Sequence, residues 1–285
     1  MRGDPVEVFE SQRPRLLRLA YRMLGSRHEA EDLVQEAWLR WQNAEREAIL
    51  EPAAWLTRVV SRLCLDHMKS AHTRREAYPG IWLPEPWIEA DDDDLRADNL
   101  TLTLMMALER LSPLERAAFL LHDVFGERLD DVATTIGRSP AATRQLASRA
   151  RTHVRIDRPR YALARDAAES LARAFFEACR TGDATSLGTL LADDASLHSD
   201  GGGKVIAFPN VIVGRAPITR LFQGLARKYD RPLEFLGMVV IDGLPGFVSR
   251  AGGHLQTTAL DINRDRIDVI YITRNPDKLR DIAGA

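Results

Sequence analysis

Residues 127–160 contain two short amphipathic segments separated by a glycine, a pattern that restricts the fold strongly. The first segment repeats apolar side chains at helical spacing, namely Leu129, Val132, Ala133 and Ile136. Gly137 can end that helix in a left-handed conformation, and Ser139 with Pro140 suits the first turn of a second helix. Helix, tight turn and helix in this order predict a helix-turn-helix.

The second of these helices has an apolar face and a basic face. Its inner side is predicted to hold Thr143, Leu146, Ala147, Ala150 and Val154. Its outer side carries Arg144, Gln145, Ser148, Arg149, Arg151 and Arg155. Arginine can contact phosphate or guanine and glutamine can read adenine, so this face suits the major groove of DNA. The alternative is an ordinary helical hairpin with a solvated basic face, but the helix signals and the charge agree on a DNA-reading helix.

Composition allows two or three domains in 285 residues and gives a net charge of only −2. The overall charge therefore does not indicate nucleic acid, and the separation of charge along the chain is the informative feature. Cys64 and Cys179 lie far apart in apolar helical patterns, so neither a disulfide framework nor a metal site nor any other cofactor is expected. Without a long apolar run or a signal peptide, we expect a cytoplasmic protein.

Residues 5–75 are predicted to be all-helical, with a polar loop over 42–51 between the second and third helices. Gly25 ends the first apolar stripe, and Ser26 with Glu29 resembles a capping box that starts a second helix. That helix presents Asp32, Gln35 and Glu36 on its outer side. Pro52 opens a third helix, which is predicted to face Arg58, Arg62 and Lys69 outward and to close on a basic cluster of His72, Arg74 and Arg75.

Residues 76–98 change character and read as a linker, rich in proline, tryptophan and acids. Trp82 and its apolar neighbours are costly to leave in water, so we expect this end of the linker to dock on another surface. Helices are predicted to resume over 99–111 and again from Ser112 to about Phe125, ahead of the helix-turn-helix.

From about residue 161 the pattern predicts an α+β domain. Three helices are expected over 164–181, 187–191 and from Pro217 to Tyr229. Strands are expected over 195–199, 204–208, 233–241, 247–250, 256–262 and 266–273. Such helices wrapped by a curved sheet form a cone with a central hollow. The fold class is thus multidomain, with two all-α domains followed by an α+β cone.

Six sequence motifs resemble one protein family. EDLVQEAWLR and AWLTRVVSRLCLDHMKS are similar to region 2 of sigma-70-family factors of the extracytoplasmic-function group. RLDDVATTIGRSPAATRQLASRAR is similar to their region 4. WLPEP (82–86), DGGGK (200–204) and NPDKL (275–279) resemble a branch that fuses a SnoaL-like domain to the C-terminus. The resemblance covers nearly the whole chain.

This resemblance implies a domain order and a set of contacts. Residues 1–75 would be region 2, 76–98 a linker, 99–160 region 4 and 161–285 a SnoaL-like regulatory domain. Core RNA polymerase would bind Asp32, Gln35 and Glu36. The promoter −10 element would meet Arg58, Arg62 and Lys69, and the −35 element would be read by Arg144, Gln145, Ser148 and Arg149. The family thus implies promoter-specific initiation of transcription.

The resemblance also implies that the third domain replaces a separate anti-sigma factor. The interdomain residues would be Trp82, Leu83, Pro84, Asp200, Gly201, Gly202, Gly203, Lys204, Asn275, Pro276 and Asp277. We expect WLPEP to pack near DGGGK and to hold regions 2 and 4 too close to span a promoter. An extended linker of 23 residues could reach roughly 75 Å, and two duplex turns separate promoter elements by roughly 70 Å. The acids of the linker could also compete for the basic helix-turn-helix face.

The rival hypothesis is an enzyme, because SnoaL-like cones share their fold with polyketide cyclases and ketosteroid isomerases. The polar candidates for the hollow are His198, Asp200, Asp242, Asp261 and Tyr271. No spacing among them fixes an acid/base pair, and a fold does not carry its chemistry with it. An unidentified small ligand in the hollow is a further alternative. The sequence favours a sigma factor that is not an enzyme.

Overall fold

A computed structural model describes residues 4–76, 78–88, 101–154, 164–228 and 233–283. These residues form two compact units, the first made of 4–76 and 104–154 and the second of 78–88, 101–103 and the residues from 164 onward. Most of the predicted acidic run, Tyr229 and Arg155 lie outside the described residues, as do the side chains of His72, Arg74 and Arg75.

The first unit is helical. Its helices are α1 (Pro5–Leu24), α2 (Arg27–Gln42), α3 (Pro52–Glu76), α5 (Pro113–Phe119), α6 (Leu129–Ile136) and α7 (Pro140–Val154), while α4 (Leu102–Leu108) crosses the boundary between the units. Gly25 is left-handed after α1, and the Ser26 hydroxyl accepts from the Glu29 backbone N–H at 3.3 Å, as predicted. Within the described ranges, every helix is too short or too polar to cross a bilayer.

Two helix predictions need correction. In the described part of the helix predicted over 99–111, Leu102–Leu108 is helical and turns replace the last residues. The helix from Ser112 does reach Val124, but its second half, Leu120–Val124, is a π-helical turn rather than α-helix. Its start is well defined, because Ser112 and Glu115 form a reciprocal capping box.

The second unit is α+β, as predicted. It contains α8 (Arg165–Thr181), α9 (Ala184–Leu190), α10 (Arg215–Lys228) and α11 (Arg280–Ala283). Its strands are β1 (Leu191–Asp200), β2 (Ile212–Val213), β3 (Glu234–Ile241), β4 (Leu244–Ala251), β5 (His254–Asn263) and β6 (Arg266–Thr273). They form one sheet in the order β2-β1-β6-β5-β4-β3, in which only the β1–β6 pair is parallel. The predicted fold class is confirmed.

The strand predicted over 204–208 is wrong. The backbone N–H groups of Lys204 and Val205 both donate to the Gly201 carbonyl, which makes a turn instead of a ladder. The side chain of Arg274 donates to the Ile206 carbonyl, so the next residue is also held outside the sheet. The short strand β2 takes the place beside β1, with Leu197 paired to Ile212.

The core of the second unit lies between one face of the sheet and helices α8 to α10. It includes Phe175, Phe176, Leu197, Phe222, Phe247, Leu260 and Ile270. The aromatic rings of Phe176 and Phe247 meet edge to face at 5.3 Å between centroids. Because strand side chains alternate between faces, the residues next to these core positions belong to the opposite face of the sheet.

Candidate nucleic-acid interface and linker site

The outer face of α2 is polar and fixed in place by its apolar side. Ala30, Val34, Ala37 and Trp41 are buried on that apolar side, and the Trp41 indole donates to the Pro5 carbonyl at 2.9 Å. Asp32 and Gln35 are exposed, while Glu36 is partly exposed and pairs with Arg40 at 3.0 Å. The three predicted polymerase-binding residues therefore lie together on a rigid, accessible helix face.

The helix-turn-helix has the geometry that its sequence indicates. Gly137 is left-handed with φ 67°, and the Ser139 hydroxyl accepts from the Ala142 backbone N–H at 3.2 Å. Thr143, Ala147, Ala150 and Val154 are buried, which leaves Arg144, Gln145, Ser148 and Arg149 exposed on the other side of α7. A basic face of this kind can enter a major groove without moving any core residue.

The three candidates on α3 differ from one another. Lys69 is exposed and pairs with Asp66 at 2.7 Å. Arg58 was expected to face outward, but it is half-buried beside Trp55 in a surface cleft formed with residues 44–51. Arg62 is exposed, yet its guanidinium donates to the carbonyls of Thr134 and Thr135, both at 3.2 Å. Arg62 and Lys69 are therefore exposed as predicted, whereas Arg58 is not.

The contact of Arg62 belongs to a larger set of contacts that joins α1 and α3 to the helices of the 104–154 segment. We call this set the helical seam and define it by Arg15, Arg22, Arg62 and Arg116. Arg15 donates to the Thr57 hydroxyl at 2.7 Å and pairs with Glu127 at 2.6 Å. Arg62 meets the last turn of α6, where helix carbonyls lack helical partners and attract a cation.

Arg116 lies at the centre of the helical seam and is 1% exposed. Its guanidinium donates twice to the Arg22 carbonyl, at 3.1 and 2.9 Å, and it pairs with Glu109. Arg22 in turn reaches the Met105 sulfur at 3.0 Å. A buried arginine thus ties the last turn of α1 to α5, and the predicted region 2 and region 4 helices pack against each other in the first unit.

The second feature is the linker site, defined by residues 78–88 and the groups that hold them in the second unit. Asp200 is fully buried at the end of β1 and accepts from the Tyr78 hydroxyl at 2.7 Å and the Leu83 backbone N–H at 2.9 Å. Lys278 pairs with the same carboxylate at 2.7 Å and also donates to the Leu83 carbonyl. One buried carboxylate therefore holds the linker at two points.

A second aspartate holds the other end of the described linker. The Trp87 backbone N–H donates to the Asp242 carboxylate at 3.2 Å, and the Asp242 backbone N–H donates to the Trp87 carbonyl at 3.0 Å. Ile88 forms an antiparallel bridge with Ile241 at the end of β3. Further along the chain, Thr103 donates to Asp261 at 2.6 Å and accepts from Tyr271 at 3.2 Å.

The DGGGK and NPDKL motifs meet around the same carboxylate. Asn275 donates to the Tyr78 hydroxyl at 2.8 Å, and Lys204 pairs with Asp277. Gly202 has no room for a side chain beside Asn275, and a Cβ on Gly203 would lie 2.8 Å from the ring of Pro79. Both glycines also have positive φ, so glycine permits this close approach of the turn to the linker.

These contacts shift the pKa values of two side chains, Asp277 and Tyr78. Hydrogen bonds from Lys204 and then Arg280 lower the pKa of the Asp277 carboxyl. Burial, followed by the hydrogen bond to Asp200, raises the pKa of the Tyr78 hydroxyl, so that this group stays a neutral donor.

The structure brings together most of the predicted interdomain residues. The most deeply buried of the linker residues is not the one expected. Leu83 is fully buried, and Pro84 and Gly201 are also buried. Trp82, which was expected to be the anchor, is half-buried, with the Lys278 ammonium 4.3 Å from its ring centroid. Pro276 is exposed at the edge of the site. Their regulatory role remains a prediction.

The five enzyme candidates do not line the hollow of the second unit, as far as its described residues go. Leu197, Leu260 and Ile270 belong to the core between sheet and helices, which assigns their neighbours His198, Asp261 and Tyr271 to the other face. Asp200 and Asp242 hold the linker, as described above. The five polar candidates therefore stand on the linker side of the sheet.

Several residues of the helical seam and the linker site were missed in the sequence. Lys278 lies within NPDKL and could have been selected with its three neighbours, and Tyr78 belongs to the aromatic start of the linker. Arg15 and Arg116 gave no signal, because an arginine in an amphipathic helix is usually solvated. Only the tertiary structure distinguishes a buried arginine from an exposed one.

Comparison with known proteins agrees with these features. The families described as "Sigma-70 region 2" and "Sigma-70, region 4" match residues 8–74 and 101–154. The chain is 36% identical to the ECF RNA polymerase sigma factor SigJ of Mycobacterium tuberculosis over 96% of this chain and 92% of that protein. It is also 36% identical to the probable ECF RNA polymerase sigma factor SigI of the same species, over 97% and 95% of the two chains.

A solved structure is similar over the same length. The crystal structure of the extracytoplasmic function sigma factor SigJ from Mycobacterium tuberculosis superimposes with a TM-score of 0.77 and 32% identity, covering 96% of this chain and 98% of that chain. The chain belongs to the extracytoplasmic-function group of sigma-70-family RNA polymerase sigma factors, in the branch with a fused C-terminal SnoaL-like domain.

Proposed function

We propose that this protein binds core RNA polymerase in the cytoplasm, directs initiation at a specific class of promoter, and is controlled in cis by its C-terminal domain. The observation that carries the proposal is the exposed basic face of α7 on a capped helix-turn-helix. That face occurs in a chain whose full length is similar to sigma factors.

The roles divide among three surfaces. The polar face of α2, with Asp32 and Glu36, binds the polymerase. The cleft beside Arg58 and the outer side of α3 hold the unpaired strand of the −10 element, because strand opening requires a site that keeps bases out of the duplex. The α7 face, with Arg149, reads the −35 element in duplex form.

Control in cis rests on the helical seam. Arg62 is hydrogen-bonded to the end of α6, so a candidate −10 residue contacts the helix-turn-helix. Promoter elements two duplex turns apart are separated by roughly 70 Å. Both elements can be engaged only after the seam opens and the linker that joins α3 to α4 extends.

The linker site supplies the restraint within the same chain. Residues 78–88 are held by Asp200 and Asp242, so this part of the linker is unavailable for extension. A tethered regulatory domain has a high effective concentration, which makes a separate anti-sigma factor unnecessary. We also propose that the hollow of this domain accepts a small ligand rather than a substrate, since the predicted acid/base residues lie on the linker side.

In vitro transcription tests this function. The protein is incubated with core polymerase and a promoter library, and initiation at one sequence class is the expected result. Asp32→Ala with Glu36→Ala should reduce polymerase capture while the circular dichroism spectrum is unchanged. Arg149→Ala should cost roughly 1–3 kcal/mol of −35 binding, concentrated at one base position.

Two outcomes would contradict the proposal. Initiation that is equal on all library members would remove the promoter-reading role. Turnover of a polycyclic ketone by the protein without polymerase would favour the enzyme hypothesis instead.

The Arg149→Ala variant also tests the role of that residue. An equal loss of binding on all sequences would reassign Arg149 to a phosphate contact.

A further inference from the structure

The first turn of α7 is small and carries no charge. It consists of Pro140, Ala141, Ala142 and Thr143, and it contains no acid. The helix dipole favours an acid at this position, but an acid there would repel DNA phosphate. In a helix-turn-helix the N-terminal residues of the second helix meet the base edges. An uncharged turn of small residues therefore permits a close approach of α7 to the floor of a groove.

The polar side chains at the start of α7 are already bonded within the protein. The Ser139 hydroxyl accepts from the Ala142 backbone N–H at 3.2 Å. The Thr143 hydroxyl donates to the Ser139 carbonyl at 3.1 Å, and Thr143 is fully buried. Pro140 and Ala141 are the exposed residues of this turn. The side chains that the turn presents outward are therefore apolar.

Ala141 lies on the same face of α7 as the predicted base-reading residues. Residues three, four and seven positions apart share one side of a helix, which places Ala141 in line with Arg144, Gln145 and Ser148. All four residues are exposed. Four residues of helix rise by about 6 Å, and stacked bases are about 3.4 Å apart. Ala141 and Gln145 therefore face base pairs that are about two steps apart.

The major groove offers one distinct apolar group to an alanine on this face. All four bases present donors or acceptors there, and thymine alone adds a C5-methyl group. Alanine against the thymine methyl and glutamine against adenine are both pairings that the groove geometry allows. An exposed alanine one helical turn from an exposed glutamine fits an element that contains both bases.

We propose that Ala141 is a specificity-determining residue of the −35 contact and selects thymine through its C5-methyl group. This inference rests on the proposed function, in which α7 reads the −35 element. The selected thymine lies within about two base pairs of the position that Gln145 reads. Cytosine at the same place is disfavoured, because it has no methyl group and its N4 donor finds no acceptor on the alanine.

Replacement of thymine by deoxyuridine tests this contact, because the two bases differ only in the methyl group. Core polymerase with the full-length protein is bound to a promoter fragment taken from the initiation library, at one fixed salt concentration. Each thymine of the −35 element is replaced in turn. Affinity is expected to fall about fourfold at one position, as for the loss of one buried methyl group.

A pair of glycine variants assigns the contact to a residue. Ala141→Gly should lower affinity about fourfold more on the thymine fragment than on the fragment with deoxyuridine at the responding position. Ala142→Gly is the matched control, because Ala142 lies in the same turn but is half-buried. Its effect on the helix should lower affinity equally on both fragments.

The outcomes separate this inference from the proposed function. The proposal is overturned if the −35 element contains no thymine, if no thymine responds to deoxyuridine, or if Ala141→Gly affects both fragments equally. Arg149→Ala would still change the base preference in each of these cases if α7 reads the −35 element. If no base substitution in the −35 element changes affinity, α7 does not read it, and both claims fail.

Discussion

The helical seam and the linker site both use charged side chains to hold the backbone of another segment, but with opposite charge. In the helical seam, Arg62 and Arg116 donate to carbonyls. In the linker site, Asp200 and Asp242 accept from the N–H groups of Leu83 and Trp87. Phosphate can replace a carbonyl as the partner of an exposed arginine, whereas the phosphate backbone offers only acceptors and cannot replace a linker N–H at a buried carboxylate. Promoter DNA can therefore compete for the rim of the seam but not for the linker site.

The largest effect is expected at the linker site. Asp200→Ala removes the buried partner of Lys278, and breaking such a pair costs roughly 3–5 kcal/mol. Urea unfolding of the full-length protein, with a probe in the second unit, measures the loss. Asp193→Ala is the control, because Asp193 lies on β1 like Asp200 and pairs with Arg215, but its side chain is 83% exposed. This change should cost at most about 1 kcal/mol. Equal losses for both variants would show that the buried carboxylate is not the anchor.

A smaller loss of stability is expected when the turn at 200–204 is moved away from the linker. Gly203→Ala places a Cβ 2.8 Å from Pro79 at φ +70°, while Gly253→Ala has φ +85° and open space. Both changes carry the cost of a left-handed residue, about 1 kcal/mol, so the difference between them isolates the clash with the linker. Proteolysis within residues 77–88 measures release of the linker and should be faster only for Gly203→Ala. Similar cleavage rates for the two variants would contradict the close approach.

At the rim of the helical seam the expected effect is smaller again. Arg62→Gln loses hydrogen bonds to two carbonyls at an exposed site, which should cost roughly 0.5–1.5 kcal/mol of first-unit stability. Lys69→Gln on the same helix is the control, since the Lys69–Asp66 pair is exposed and local. Raising salt should weaken the contribution of Arg62, as for any exposed charge. A loss of several kcal/mol would mean that Arg62, like Arg116, belongs to the buried centre of the seam.

The smallest effect is expected from acid at the edge of the linker site. The pKa of Asp277 is lowered by Lys204 and Arg280, so its contribution is complete above the ordinary carboxyl pKa and is lost as pH falls through the lowered value. Denaturation midpoints over an acid series, compared with Lys204→Met, should differ at neutral pH and converge in strong acid. A difference that grows as pH falls would have the wrong sign for this pair.

Local features were predictable from the sequence, whereas distant partners were not. Gly137 and Ser139 form the turn of the helix-turn-helix through contacts with residues at most four positions away. Their residue types were therefore sufficient to predict the turn. The failed strand at 204–208 is apolar enough for a ladder, but Arg274, 68 residues away, fixes the Ile206 carbonyl outside the sheet. Residue type does not reveal a partner at that distance.

The candidate site shows the same division. The resemblance brought WLPEP and DGGGK together, and the structure adds the buried Asp200–Lys278 pair, both members of which hydrogen-bond the backbone of Leu83. Arg62 was predicted as an outward-facing basic residue. Its hydrogen-bond partner Thr134 is 72 residues away in the sequence. The exposed faces of α2 and α7 were predictable because helical spacing alone decides which side is apolar.

The central claim is that the free protein is closed at the helical seam and opens on a promoter. Labels at Ser11→Cys on α1 and Thr152→Cys on α7 report the distance between the two regions. Burial raises the pKa of both native thiols, Cys64 and Cys179, so the introduced cysteines react first.

Electron–electron distance measurements between these labels test the claim most directly. The account predicts one short distance in the free protein, a longer and broader distribution for Asp200→Ala, and a separation approaching roughly 70 Å with core polymerase and promoter DNA. A distance that is the same in the free protein, in Asp200→Ala and in the promoter complex would contradict it.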